Sequence, residues 1–143
     1  ALALAEGRYD AALASLVVGY LADPERFLRE LARILRPGGR VVLSTLRRDA
    51  DISKLFLDGL AELAGPETRA ALGRAAERRF DALARDFLND AARLLDLEEQ
   101  GRFRFFEREE LRALVAGAGF EDPVAELAFG DPAQAVVVAA RRP

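Results

Sequence analysis

The chain contains no cysteine, no histidine, no methionine and no tryptophan. Without cysteine there is no disulfide, no thiolate metal site and no thiol nucleophile. Without histidine, the commonest general base and the commonest transition-metal ligand are both missing. Lys54 is the only lysine, so the basic residues are almost all arginine. Together with the abundant alanine, this reads as the compositional bias of a GC-rich coding sequence and not as a binding signal. The net charge of -3 gives no electrostatic case for nucleic acid or an anionic membrane. No apolar run reaches the ~18 residues expected of a spanning helix. No basic segment followed by an apolar one marks a leader, so the cytoplasm is the expected location. A chain that opens on Ala1 and has no methionine is expected to be processed or cut from a longer reading frame.

What is present suits one domain. The 143 residues are 51% hydrophobic, which is enough apolar material for a core. The most informative stretch runs from Tyr9 to Leu46. Tyr9 to Val18 is nearly continuously apolar after Asp10, as expected of a strand buried on both faces of a parallel sheet. Asp23-Pro24 is a helix start, with Asp as N-cap and Pro at the first helical position. Phe27, Leu28, Leu31, Ile34 and Leu35 then recur at helical spacing. Pro37-Gly38-Gly39 reads as the stop. Val41, Val42 and Leu43 begin a β-branched strand that ends at Ser44-Thr45. Strand, helix and strand in this order form one parallel crossover unit, and ligands of such sheets bind at the carboxyl ends of the strands.

Three segments follow from the pattern: a strand-helix-strand unit over 1–48, a helical insertion over 49–101 and a compact end over 102–143. In the insertion, Asp51 is a candidate cap for a helix carrying Ile52, Leu55 and Phe56. Arg102 to Phe106 alternates arginine and phenylalanine, as a short extended segment should. Glu107 to Ala118 reads as a helix with Leu111, Leu114 and Val115 facing inward. Val124 to Phe129 and Ala135 to Ala140 read as a hairpin around Gly130-Asp131-Pro132, so one of its strands runs against the others.

These residues resemble the C-terminal half of class I S-adenosylmethionine-dependent methyltransferases, especially those acting on small molecules. The most specific stretch is LRELARILRPGGRVVLST, supported by FFEREELRALVAGAGFED and the final AVVVAARR. The resemblance implies a partial Rossmann-like α/β sheet in the family order 4-5-7-6. Its last strand is antiparallel, with the helical insertion between family strands 5 and 6. It implies S-adenosylmethionine as cofactor of the intact protein, a small-molecule acceptor, and no nucleic-acid or membrane partner. The family's GxGxG loop is absent. Gly38-Gly39 follows a helix and precedes a strand, the reverse of what a cofactor loop requires.

The resemblance also assigns positions. Ser15, Leu16 and Val17 stand where the family's fourth strand turns against the methionine arm and sulfonium of the donor. Gly19 and Tyr20 stand where small-molecule members carry a polar residue facing the acceptor, which makes Tyr20 a weak acid/base candidate. Thr45 and Arg47 end the fifth strand on the acceptor side. Phe56 and Phe106 are wall candidates from the insertion and its exit, with ordinary core packing as the alternative. No metal ligand set is implied. The competing function is a non-catalytic, methyltransferase-like interaction module. Either reading leaves Tyr9 to Val18 as an open sheet edge, through which a homodimer can form, as it can through the insertion.

Overall fold

The computed structural model describes residues 2–51, 54, 86, 93 and 96–143. Most of the expected insertion, Phe56 included, lies outside the described residues. Lys54, Asp86, Arg93 and residues 96–99 are helical, and the Asp51 carboxylate accepts the Lys54 N–H at 2.8 Å, as a cap does.

The helix start behaves as its chemistry dictates. Asp23 accepts a hydrogen bond from the Arg26 N–H at 2.8 Å, which satisfies one of the amides that a helix leaves unpaired. Helix α1 (Pro24–Ile34) buries Leu28, Leu31 and Ile34. Its solvent side carries the Arg29–Glu25 pair at 3.4 Å. The expected stop at Pro37-Gly38-Gly39 is corrected: α1 ends at Ile34, and Leu35 is already extended at φ -71, ψ 145. Leu35 is fully buried and pairs with Tyr9, so strand pairing draws the chain out of the helix before proline can stop it. The residue before a proline also avoids helical geometry.

Strand β1 (Tyr9–Ser15) lies parallel to β2 (Leu35–Leu46). Between the pairs Tyr9↔Leu35 and Ala11↔Arg40 the register shifts, and Arg36 to Gly39 bulge out. A Cβ on Gly39 would stand 2.8 Å from the Arg36 carbonyl, so the bulge needs glycine there. The bulge is stitched to the chain's end by Gly38 N–H to the Arg142 carbonyl (2.9 Å) and Arg142 N–H to the Gly39 carbonyl (2.8 Å).

Helix α2 (Arg108–Gly117) opens with a reciprocal capping box between Glu107 and Glu110. Strands β3 (Glu121–Ala128) and β4 (Ala135–Arg141) follow. The four-stranded order is β1-β2-β4-β3, and β4 runs antiparallel to both β2 and β3. This is the expected 4-5-7-6 arrangement with a reversed last strand.

The core lies on one side of this sheet. Ala14, Val41, Leu43, Val136 and Val138 pack with Leu28 and Ile34 of α1 and with Leu111 and Val115 of α2. Among the described residues, no helix covers the other side. Register places Leu13, Val42, Ala139 and Val124 in one row across all four strands, with Leu13 74% and Val124 58% exposed. The expectation that Tyr9 to Val18 is a strand buried on both faces is therefore corrected. The strand stops at Ser15, sits at the sheet edge, and has a helical layer on only one face among the described residues.

Candidate active site

The carboxyl ends of β1 and β2 meet. Ser15 pairs in register with Ser44, and their hydroxyls lie 2.9 Å apart. Beyond Ser15 the chain turns sharply. Leu16 adopts φ 56, a left-handed conformation unfavourable for a branched side chain by about 1–2 kcal/mol. Its N–H donates to the Ser44 carbonyl at 2.8 Å, which holds the turn in place. Leu16 and Val17 are exposed at the rim. A short 3-10 turn, Val18–Tyr20, then drops Val18 into the core and leaves Tyr20 half-exposed.

The segment after the insertion closes over that turn. Arg104 N–H donates to the Gly19 carbonyl at 2.8 Å. The Phe103 ring packs edge-on against Tyr20 with centroids 4.7 Å apart, and Phe105 packs edge-on against Phe103 at 4.9 Å. Burial alternates along this stretch: Arg102 and Arg104 are exposed, Phe103 and Phe105 buried. The result is a cleft of about 400 Å³ lined by Gly19, Tyr20, Pro24, Arg102, Phe103 and Arg104 among others.

A charged clamp fixes the far side of this segment. Glu110 bonds Arg104 and pairs with Arg48 at 3.3 Å, and Arg48 also reaches Glu107 at 3.4 Å. Burial pushes the Glu110 carboxyl up, but the Arg104 hydrogen bond, the Glu107 N–H and the charges of Arg104 and Arg48 outweigh it. The net effect holds Glu110 below its ordinary value. The Arg104 guanidinium also lies 4.8 Å from the Phe106 ring centroid, within cation–π range.

The residues singled out from the sequence thus fall into two sets. Ser15, Leu16, Val17 and Tyr20 are exposed around one turn. Thr45 and Phe106 are 1% and 0% exposed; Phe106 belongs to the core, and neither offers its side chain to the cleft. Arg47 is tied to the β3–β4 connection, donating to the Ala133 carbonyl at 3.1 Å. Arg102 and Glu110 were not singled out as site residues. The Arg/Phe alternation signals Arg102. Glu110 stands at the third position of a helix start, where its capping role is local, but its pairing with Arg48 joins residues distant in sequence.

The donor fit can be judged from this geometry. The turn at Ser15, Leu16 and Val17 offers backbone and apolar surface suited to the sulfonium side of S-adenosylmethionine. None of these residues is acidic, so none supplies the carboxylate that a ribose diol takes.

A family profile described as a methyltransferase domain matches residues 2–124. A ubiquinone biosynthesis O-methyltransferase of Caulobacter sp. (strain K31) is 45% identical over 47 residues, 33% of this chain and 19% of that protein. A SAM-dependent methyltransferase of Thermotoga maritima superimposes with a TM-score of 0.58 at 20% identity, covering 100% of this chain and 60% of that one. The 1,6-didemethyltoxoflavin-N1-methyltransferase of Burkholderia thailandensis, solved with its substrate and S-adenosylhomocysteine, superimposes at 0.54 and 19% identity, covering 96% and 45%. This chain therefore spans only part of the length of the relatives it matches. Its sheet order, its crossover unit and the profile that covers most of its length make it a member of the methyltransferase domain family, whose methyl donor is S-adenosylmethionine.

Proposed function

We propose that this chain is the acceptor-side part of a methyltransferase that moves the S-adenosylmethionine methyl group to a small molecule. One observation carries the reading. The carboxyl ends of two adjacent parallel strands are locked together at Ser15 and Ser44, and the chain leaves them through a left-handed Leu16 into the turn bearing Tyr20. That is where a sheet of this kind takes its ligand. When bound, the donor supplies an electrophilic methyl on a sulfonium. Ser15, Leu16 and Val17 border its reactive end, and Tyr20 faces the acceptor, where its hydroxyl can hydrogen-bond or exchange a proton. Ribose and adenine contacts come from parts of the intact protein outside this chain, which pair along the open β1 edge.

Methyl transfer depends on holding both reactants in line, and this chain holds one side only. Calorimetry of the isolated chain with S-adenosylmethionine is expected to give no saturable binding in the low micromolar range. A longer protein from the same reading frame should bind the donor and lose turnover on Tyr20→Phe. Tight donor binding by the isolated chain, or an unchanged kcat in the Tyr20 variant, sinks this reading.

A second reading has its own observation. The row of Leu13, Val42, Ala139 and Val124, beside a β1 edge that no described strand pairs, suits a non-catalytic module that docks another chain or a second copy of itself. Activity in the longer protein separates the two.

A further inference from the structure

We propose that the cleft beside Tyr20 selects an aromatic carboxylate, with the ring held by Tyr20 and Phe103 and the carboxylate held by Arg102. This rests on the reading of the cleft as the acceptor site and adds the chemical class that it takes. Three observations carry it.

The walls are aromatic and fixed. Tyr20 and Phe103 pack edge-on at 4.7 Å; Tyr20 is half-exposed and Phe103 backs it, buried apart from its cleft-lining edge, so the Tyr20 ring is open to a third ring in the offset or edge geometry that aromatic groups prefer. Gly19, with no side chain, lets the Phe103 ring close up against the turn.

The charge is unbalanced. Two arginines line the cleft, Arg102 and Arg104. Arg104 is neutralised by Glu110. Arg102 is exposed, and among the described residues its side chain has no ion pair or hydrogen bond. Among the described residues, none that lines the cleft is acidic. Of the acids flanking the lining residues, Asp23 uses its carboxylate on the Arg26 N–H and Glu25 pairs with Arg29, and neither these nor Glu99 lines the cleft. A planar guanidinium without a partner is the group that binds carboxylate with two parallel hydrogen bonds.

The backbone is placed. On either side of Arg102 it is anchored, by Arg102 N–H to the Leu97 carbonyl at 2.7 Å and Arg104 N–H to the Gly19 carbonyl at 2.8 Å. The Arg102 side chain therefore starts from a fixed point beside the ring wall and stays free to close on a carboxylate.

The test is an NMR titration of the full chain with para-hydroxybenzoate, its neutral amide para-hydroxybenzamide, and the saturated cyclohexane analogue of the acid. The benzoate should bind about tenfold tighter than the amide, the order expected for one charge-assisted bidentate contact. The shifted amides should be those of Gly19, Tyr20, Gly101 and Phe103. Arg102→Gln should erase the preference for the acid over the amide. Tyr20→Leu should erase the preference for the aromatic over the saturated ring. Equal binding of acid and amide, a preference that survives in Arg102→Gln, shifts elsewhere on the chain, or no binding of any probe would each overturn the proposal. The titration needs neither donor nor turnover. An acid-selective cleft in a protein that transfers no methyl group would refute the methyltransferase reading alone. Turnover without acid selectivity would refute this inference alone.

Discussion

The ring of Phe103 fills the space that a side chain at Gly19 would need. A Cβ there would stand 2.6 Å from Phe103 Cε2 and 2.8 Å from the Arg104 carbonyl oxygen. The turn after β1 and the segment after the insertion are therefore fitted together at backbone contact, and the cleft between them exists because residue 19 is glycine.

Gly19→Ala should force these two segments apart. Overpacking of this kind costs about 1–3 kcal/mol, read as a lowered denaturant midpoint with loss of the Tyr20–Phe103 contact. Phe103→Leu in the same chain should rescue only part of the loss, because the Arg104 carbonyl is backbone and stays. Full rescue would show that the ring alone sets the constraint.

Phe106→Ala separates a core residue from a pocket wall. Phe106 is 0% exposed within the core, so its truncation should cost about 3–5 kcal/mol in urea unfolding. That is a large share of the roughly 5–15 kcal/mol that holds a domain folded. A cost below ~1 kcal/mol, in the range of ordinary surface substitutions, would return Phe106 to the acceptor wall.

Glu110 should make stability depend on acid pH. Its folded carboxyl lies below the ordinary 4.5. A group with a depressed folded pKa contributes stability above its unfolded value and loses it as pH falls through the folded value. The denaturant midpoint should therefore fall between about pH 5 and the folded value, with a shallower fall in Glu110→Gln. Identical pH profiles for the two proteins would show that the Arg104 and Arg48 contacts contribute nothing measurable, as is common for exposed pairs.

Leu13→Lys tests the bare face. Leu13 is 74% exposed, so the substitution should leave chain stability within about 0.5 kcal/mol. A lysine on an edge strand opposes pairing, so association seen by size-exclusion chromatography should weaken. A marked drop in melting temperature without any change in association would mean that Leu13 is covered within the single chain.

Much of the architecture was legible in the residues. Asp23-Pro24 announced a helix start and is one, because capping is a contact between neighbours in sequence. The terminal hairpin around Gly130-Asp131-Pro132 foretold a reversed strand, and β4 is antiparallel to β2 and β3. The burial of Tyr9 to Val18 was misread. An apolar run records that a strand sits in a sheet, not how many layers cover it. The helix end was misread for a related reason. Pro37-Gly38-Gly39 has the composition of a stop, but the pairing of Leu35 with Tyr9 ended the helix first.

The site divides in the same way. The turn from Ser15 to Tyr20 was accessible from its place at a strand exit. For Phe106 the core reading held over the pocket wall, whereas the burial of Thr45 was not legible at a strand end, because it depends on what packs above the sheet.

Local chemistry settled where elements start, which strand is reversed and which turn carries the polar residues, since each depends on a few neighbouring side chains and the steric limits of the backbone. Only the packed chain decided that, among the described residues, one sheet face carries no helix, that Phe103 stands against Gly19, and that Arg104 is neutralised while Arg102 is not. Apart from the Arg104–Glu110 pair, which spans six positions, these are relations between residues tens of positions apart, and their energies exist only once the intervening chain has brought them together.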